Sequence, residues 1–92
     1  MTYTLNFEKE ALRDIERLRK SGNKAVMSKL EKLLVELIEH PDTGTGQVEA
    51  LRGNYVGYWS RRLDQKNRLI YTIEETTVTV TVVSVLGHYG DK

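Results

Sequence analysis

The sequence predicts an α+β fold in which two helices cover one face of a twisted antiparallel β-sheet. An alternating segment opens the chain, two stretches with helical periodicity follow, and β-branched and aromatic residues dominate the second half. This β-α-α-β-β-β order groups the helices ahead of most strands, which favours a layered α+β arrangement over an alternating α/β one. We therefore expect a single domain over residues 1–92, with one face of its sheet left open.

The first half of the chain predicts a strand followed by a helical hairpin. Residues 3–7 alternate in polarity as a strand does. In the first helix Leu12, Ile15 and Leu18 recur at helical spacing. Asn23 is a candidate cap for the second helix, and Pro41 marks its end. The apolar positions of that second helix are Val26, Leu30, Leu33, Leu34 and Leu37.

The second half predicts a loop and three strands. Residues 42–48 are rich in turn formers, and residues 55–63 and 68–73 carry strand-forming side chains on either side of a turn at 64–67. Residues 77–86 alternate threonine with valine and contain no charge. An exposed edge strand of this kind would aggregate, so we expect it in the interior of the sheet.

The composition excludes several classes of function. The chain has no cysteine, which rules out thiol nucleophiles and disulfides and fits a reducing cytoplasm. No apolar run approaches the roughly 20 residues that a bilayer span requires, so we expect a cytoplasmic protein with no membrane partner. No His, Asp and Glu cluster has metal-ligand spacing and no Gly-rich phosphate-binding motif is present, so we expect neither a metal nor a cofactor.

Positive charge collects in the middle of the chain. Residues 43–73 hold Arg52, Arg61, Arg62, Lys66 and Arg68 against Glu49 and Asp64. Because neighbouring strand residues point to opposite faces, placing Leu63 and Leu69 in the core sends Arg62 and Arg68 to the open face. Guanidinium groups are well suited to binding phosphate, although arginines on a solvated sheet face are also common. The pair indicates a phosphate-binding surface, with an ordinary mixed surface as the alternative.

Trp59, Arg61 and His88 are the other side chains of the second half that could pack in the core or act in a site. Trp59 and Arg61 have the alternation of Leu63, which predicts packing for Trp59 and, for Arg61, a place at the sheet margin or a helix carboxylate as partner. His88 carries an imidazole, a group that can give or take a proton near neutral pH, and is therefore a candidate for proton transfer. Strict alternation from Val82 would turn His88 toward the helices, unless Gly87 breaks the alternation.

Residues 44–73, GTGQVEALRGNYVGYWSRRLDQKNRLIYTI, resemble the central signature of the Txe/YoeB toxins within the RelE-like superfamily. That family shows Gly-x-Gly, Pro-Glu with Leu-Lys/Arg, Gly-x-Trp-Ser-Arg-Arg-Ile and His-Arg-Leu-Val-Tyr, and it ends in His-Tyr. The counterparts are residues 44–46, 49–52, 57–63, 67–71 and 88–89. The resemblance covers nearly the whole chain, because both helices lie where the family has them. Departures are Asn67 for the family's His, Val85-Leu86 for Cys-Arg, and residues 90–92 beyond Tyr89.

The resemblance implies a RelE-like, microbial RNase-type fold and a metal-independent endoribonuclease that cuts mRNA in the A site of the small ribosomal subunit. Glu49 matches the family's general base, Arg68 its phosphate-stabilising arginine and His88 its general acid. The implied substrate-binding residues are Arg62, Tyr89 and Arg52. The implied partners are a cognate antitoxin, mRNA on the ribosome and, because relatives dimerise, a second copy of the chain.

Two other functions remain open at this level. One is a non-catalytic interaction module, because relatives on the same fold poison DNA gyrase; that branch generally lacks the Glu and His pair. The other is a passive binder of single-stranded RNA that stacks bases on Tyr55, Tyr58 and Tyr89. The presence of both Glu49 and His88 favours cleavage.

Overall fold

The computed structural model describes residues 2–87 and confirms the α+β class. Within that range the elements are β1 (Thr4–Phe7), α1 (Lys9–Ser21), α2 (Lys24–Glu39), β2 (Glu49–Ala50), β3 (Trp59–Arg62), β4 (Arg68–Glu74) and β5 (Thr79–Gly87). The described strands form one sheet in the order β1-β5-β4-β3-β2. The Thr/Val-rich strand β5 therefore lies in the interior, between β1 and β4, as its lack of charge predicts.

The sheet is mixed, whereas the sequence predicts an antiparallel one. The pairs β2–β3, β3–β4 and β4–β5 are antiparallel, but β1 runs parallel to β5. Short connections force neighbouring strands to run in opposite directions, and a parallel pair needs a long crossover. The helical hairpin and three later strands separate β1 from β5 along the chain, so nothing constrains this pair to be antiparallel.

Both helices pack on one face of the sheet. The buried core is formed by Ala11, Leu18, Leu30, Leu33 and Leu37 of the helices and by Leu63, Leu69, Tyr71, Val80, Val82 and Val85 of the sheet side. Leu12, part of the apolar spacing predicted for α1, is 53% exposed. Ile15 and Leu18 pack on the core as predicted, and Ala11 and Asp14 are the other buried residues of α1.

Local signals explain where the elements begin and end. Asn23 Oδ1 accepts a hydrogen bond from the Val26 N–H at 3.1 Å, which confirms it as the cap of α2. The strand predicted from residue 55 begins only at Trp59, because residues 53–55 form a turn of 3-10 helix and Gly57 adopts a φ of +96° that a strand does not allow. Within residues 2–87, no helix has the length and apolar character needed to cross a membrane.

Candidate functional site

Two arginines lie side by side on the face of the sheet opposite the helices. Arg62 of β3 and Arg68 of β4 are direct register partners, and their neighbours Leu63 and Leu69 are buried on the helix side. The predicted sharing of one face by these arginines is therefore confirmed. Like charges placed directly opposite each other in a sheet are destabilising. A bound anion would remove this cost.

A carboxylate stands beside these arginines. Glu49 is the register partner of Ser60, and the Arg68 Nη1 donates to Ser60 Oγ at 3.3 Å. The same Nη1 lies 3.9 Å from Glu49 Oε1, an ion-pair distance longer than a hydrogen bond. The Glu49 side chain is 53% exposed and that of Arg68 is 23% exposed. The face thus presents an accessible carboxylate next to two guanidinium groups.

One polar atom of this face is left unsatisfied. Among the described residues, Arg62 Nε is buried without a hydrogen-bond partner. An unmet buried donor costs about 1–3 kcal/mol, so such atoms are rare in native proteins. This buried donor belongs to the guanidinium that faces Arg68.

The remaining predicted site residues are placed only in part. Arg52 lies just beyond β2 with an exposed side chain. His88 and Tyr89 fall outside the described residues. The last described residue of β5, Gly87, is the register partner of Arg68, so the described strand ends beside that arginine. Within residues 2–87, no three His, Asp or Glu side chains cluster as a metal site would require.

The end of β5 does not alternate as the sequence predicts. On β4 the pairing advances from Arg68 to Ile70 to Tyr71, while on β5 it passes from Gly87 to Ser84 to Val82. Two extra residues therefore lie on β5, and the alternation is broken before Gly87. Bulges of this kind leave backbone N–H groups without a partner in the ladder.

Asp14 of α1 satisfies those freed groups. Its Oδ2 accepts from the backbone N–H of Val85 and of Leu86, both at 3.0 Å, and from Ser84 Oγ at 3.2 Å. Asp14 is 6% exposed, and these three bonds explain how a carboxylate is tolerated in the core. In the sequence, the one sign of this contact is that Asp14 lies between the apolar residues Ala11, Ile15 and Leu18 of α1.

Gly87 is required by close packing. A Cβ atom there would lie 2.7 Å from Ile70 Cγ1 and 3.1 Å from the Arg68 carbonyl oxygen. A side chain there would require the Ile70 side chain to move and the Arg68 backbone to give slightly. The sequence allows the strand alternation to break at this glycine, but in the structure the break lies earlier in β5. Gly87 instead lets β5 approach Arg68 closely.

Arg61 is fully buried and anchors the loop that leads into β2. Its Nη1 donates to Glu36 Oε1 at 2.8 Å, and its Nε donates to the Tyr71 hydroxyl at 3.2 Å. The guanidinium also donates to the carbonyl oxygens of His40, Thr43 and Thr45. The predicted pairing with a helix carboxylate is therefore confirmed, and Trp59 packs against the core as predicted.

The pKa values around Arg61 follow from this arrangement. The Thr45 backbone N–H, bonded to Glu36, is the largest cause that lowers the pKa of that carboxyl below its ordinary value, and Arg61 lowers it further. Burial raises the pKa of Tyr71, and Arg61 acts in the opposite direction. The Tyr71 hydroxyl donates to the Pro41 carbonyl oxygen at 2.6 Å. Near neutral pH Glu36 is therefore charged and Tyr71 keeps its proton. These are the forms in which the two side chains bind the loop.

The Gly-x-Gly segment belongs to the same anchor. Gly44 has φ +121°, and a Cβ there would lie 2.5 Å from Glu36 Oε1. Gly46 has φ +96° and its carbonyl accepts from the Arg62 N–H at 2.5 Å. Both positions need glycine for backbone conformation and for close approach. The segment fixes the path of the chain toward Glu49.

Comparison with known proteins identifies relatives over most of the chain. The model of a family described as YoeB-like toxin of bacterial type II toxin-antitoxin system matches residues 7–89. Toxin YoeB of Streptomyces coelicolor is 32% identical over 68 residues, covering 74% of this chain and 79% of that protein. Toxin YoeB of Mycobacterium bovis is 31% identical over 77 residues, covering 84% and 89%.

Solved structures agree with this match. The YoeB/ParE toxin from Agrobacterium tumefaciens superposes with a TM-score of 0.86 at 26% identity, covering 94% of this chain and 99% of that one. A YoeB dimer from Staphylococcus aureus gives 0.82 at 27% identity, covering 97% and 100%. A heterotetrameric YoeB-YefM toxin-antitoxin complex from S. aureus gives 0.80 at 27% identity with the same coverage.

Proposed function

We propose that this chain, which belongs to the YoeB-like toxin family of bacterial type II toxin-antitoxin systems, is an endoribonuclease that cuts mRNA on the ribosome without a metal ion. The observation that supports the activity best is the grouping of Glu49 with Arg62 and Arg68 on the open sheet face. The two arginines face a single carboxylate, and an RNA phosphate would supply a second anion. RNA also supplies a ribose hydroxyl on which a neighbouring carboxylate can act.

The mechanism we propose is an internal transesterification. Glu49 takes the proton from the ribose 2′-hydroxyl, and the 2′-oxygen forms a bond to phosphorus. The bond from phosphorus to the 5′-oxygen breaks, and His88 gives a proton to that leaving oxygen. The products are a 2′,3′-cyclic phosphate and a 5′-hydroxyl, so no water or metal enters this step.

The arginines stabilise charge in the transition state. Arg68 is held by Ser60 at one nitrogen, and a guanidinium carries five N–H donors in a rigid fork. Arg62, directly opposite, brings a second guanidinium to the same face. Charge that builds on the phosphate oxygens would meet fixed donors, and stabilisation of this kind commonly contributes more to catalysis than any other effect. Arg52 and Tyr89 are assigned to binding the RNA on either side.

Dependence on the ribosome follows from the openness of this surface. The Glu49 side chain is 53% exposed, and the reactive groups lie on a sheet face rather than in an enclosed cleft. A flexible RNA would therefore have to be held in the reactive geometry from outside, and the ribosomal A site can supply that orientation. Such a substrate also places the protein in the cytoplasm.

The partners are proposed from the relatives. A YoeB from S. aureus is found both as a dimer and in complex with YefM. We assign to this chain a cognate antitoxin that covers the open face, and self-association as a homodimer. We also treat residues 1–92 as one domain. The non-catalytic alternative is not favoured, because the chain matches YoeB toxins and keeps a carboxylate beside Arg68.

Primer extension on a defined mRNA in a translation reaction tests the activity. The wild-type protein should cut within the A-site codon, and cleavage should fall sharply when ribosomes are omitted. The variants Glu49→Gln and His88→Gln should lose cleavage, whereas Glu31→Gln, which removes an exposed carboxylate on α2, should keep it. Equal cutting by all variants would refute the assigned roles, and translation arrest without any cleavage would favour the non-catalytic module.

A further inference from the structure

A small pocket lies next to the site, where the end of β5, the segment before β3 and the start of α1 meet, and it is not part of the proposed chemistry. Its volume is about 200 Å³, and we call it the tyrosine pocket. Ile70, Gly87 and Ser84 line it from the sheet, Tyr55 and Tyr58 from the segment before β3, and Glu10 from α1. Tyr55 and Tyr58 are 45% and 36% exposed, whereas Ile70 and Ser84 are 8% and 6% exposed. The pocket therefore has accessible aromatic walls on a buried floor.

Register places the tyrosine pocket on a definite side of the reacting groups. Glu49 pairs with Ser60, Ser60 with Ile70, and Ile70 with Ser84, so these residues form one row across the sheet. Glu49 lies at one end of the row and the pocket at the other. Ser60, which Arg68 contacts, lies between them, one strand spacing of roughly 4.8 Å from the pocket floor at Ile70.

The direction of the RNA follows from this order. The attacking and leaving oxygens lie roughly in line on opposite sides of the phosphorus. Glu49 acts on the attacking 2′-oxygen, so the tyrosine pocket lies on the side of the leaving 5′-oxygen. The nucleotide that carries this oxygen is the one immediately 3′ to the cut.

The polar groups that α1 and β5 contribute to the tyrosine pocket are acceptors, whereas the tyrosine hydroxyls can donate or accept. Glu10 offers carboxylate oxygens, and Ser84 directs its hydroxyl proton to Asp14 Oδ2 at 3.2 Å, which leaves its lone pairs for a ligand. A carboxylate repels phosphate, so the pocket is unsuited to the RNA backbone. It suits a flat ring that stacks on tyrosine and donates hydrogen bonds from its edge.

We propose that the tyrosine pocket binds the base of the nucleotide 3′ to the cut and prefers a base with an exocyclic amino group. Adenine, cytosine and guanine each carry such a donor. Uracil presents two carbonyl acceptors and a single ring N–H, so it would leave the acceptors of Glu10 and Ser84 poorly matched. Because this assignment rests on the proposed function, its test must separate loss of cleavage from loss of base preference.

The experiment uses the full chain and ribosomes programmed with four mRNAs that differ only at the nucleotide 3′ to the cut. Cleavage is followed at toxin concentrations below saturation, so the rates report kcat/KM. Wild type should cut before A, C and G about tenfold or more faster than before U, as expected for a hydrogen bond to a charged group. Equal rates on all four messages would overturn the preference while leaving the endonuclease assignment intact. Absence of cleavage would remove both.

Variants identify the residues responsible. Glu10→Ala should bring the four rates close together, and Tyr58→Ala should lower all four by about 5- to 150-fold, the range for loss of one stacked base. Tyr58→Phe keeps the ring and should recover most of that loss. Glu31→Ala removes an exposed carboxylate far from the pocket and should behave as wild type. Matching urea unfolding midpoints exclude a general loss of folding.

Two results would overturn the role of the tyrosine pocket. One is a base preference that survives Glu10→Ala unchanged. The other is a Tyr58→Ala variant that cuts all four messages at wild-type rates but binds the antitoxin more weakly, which would assign the pocket to the antitoxin. A drop in cleavage confined to Tyr58→Ala, with recovery in Tyr58→Phe, supports the stacked base.

Discussion

Replacing Arg61 by methionine tests the buried network that ties β3 to the loop before β2. The Arg61 side chain is 0% exposed, and methionine has a similar length without donors. The substitution removes the Arg61 donor from five acceptors: Glu36 Oε1, the Tyr71 hydroxyl and the carbonyl oxygens of His40, Thr43 and Thr45. The loss therefore removes one partner of a buried ion pair rather than the whole pair.

The expected cost is large relative to the stability of a small domain. Removing one partner of a buried ion pair costs about 3–5 kcal/mol. The Glu36 side chain is 23% exposed and can recover some hydration, which favours the lower end of that range, about 3 kcal/mol. A domain of 92 residues has about 5–14 kcal/mol of stability in total, at roughly 0.05–0.15 kcal/mol per residue. Arg61→Met should thus remove a large fraction of the stability.

Urea unfolding followed by circular dichroism measures this change. Arg61→Met should shift the free energy of unfolding by about 3 kcal/mol, or the thermal midpoint by roughly 12–24 °C. Arg17→Met, an exposed arginine of α1 made into the same residue, should change it by less than about 0.5 kcal/mol. If Arg61→Met lost less than about 1 kcal/mol, the network would not hold the loop as the contacts indicate.

Four further predictions concern other contacts. Asp14→Ala leaves the bulge donors of β5 unmet and should cost about 3 kcal/mol in urea unfolding; a loss within error would refute the contact. Asn23→Ala removes the cap of α2 and should cost about 1 kcal/mol, measured in the same way. The Glu36 pKa is lowered on folding, so the ionised carboxyl stabilises wild type relative to Glu36→Gln. In unfolding titrations from pH 7 to 3, this extra stability should be complete well above the ordinary pKa of 4.5 and should decline as pH falls through and below that value. A stability difference that grew on acidification would contradict this sign. Arg68→Ala should reduce single-turnover cleavage by about 100- to 1000-fold while the unfolding midpoint stays close to wild type.

Much of the fold could be predicted because its signals are local. The helical periodicity of α2, the Asn23 cap and the turn between β3 and β4 depend on neighbouring residues, and the structure agrees with each. The direction of β1 depends on a partner more than 70 residues away, so no local pattern reveals that it runs parallel to β5.

The site divides in the same way. The shared face of Arg62 and Arg68 follows from strand alternation on a hairpin, which the sequence contains. The approach of Glu49 depends on a two-residue strand held by the buried Arg61 network, whose contacts reach from α2 to β4. The end of β5 depends on bulges that Asp14 satisfies from another element. Contacts of this kind arise only after packing, so periodicity does not reveal them.

Glu49 is proposed to perform base catalysis beside Arg68 on bound mRNA. Single-turnover cleavage of A-site mRNA on saturating, programmed ribosomes tests this role most directly, with wild type compared to Glu49→Gln. We predict a loss of about 100-fold or more in the cleavage step for the variant, with wild-type fragments ending in a 2′,3′-cyclic phosphate. Cleavage by Glu49→Gln at the wild-type rate, or wild-type fragments ending in a 3′-hydroxyl and a 5′-phosphate, would contradict the account.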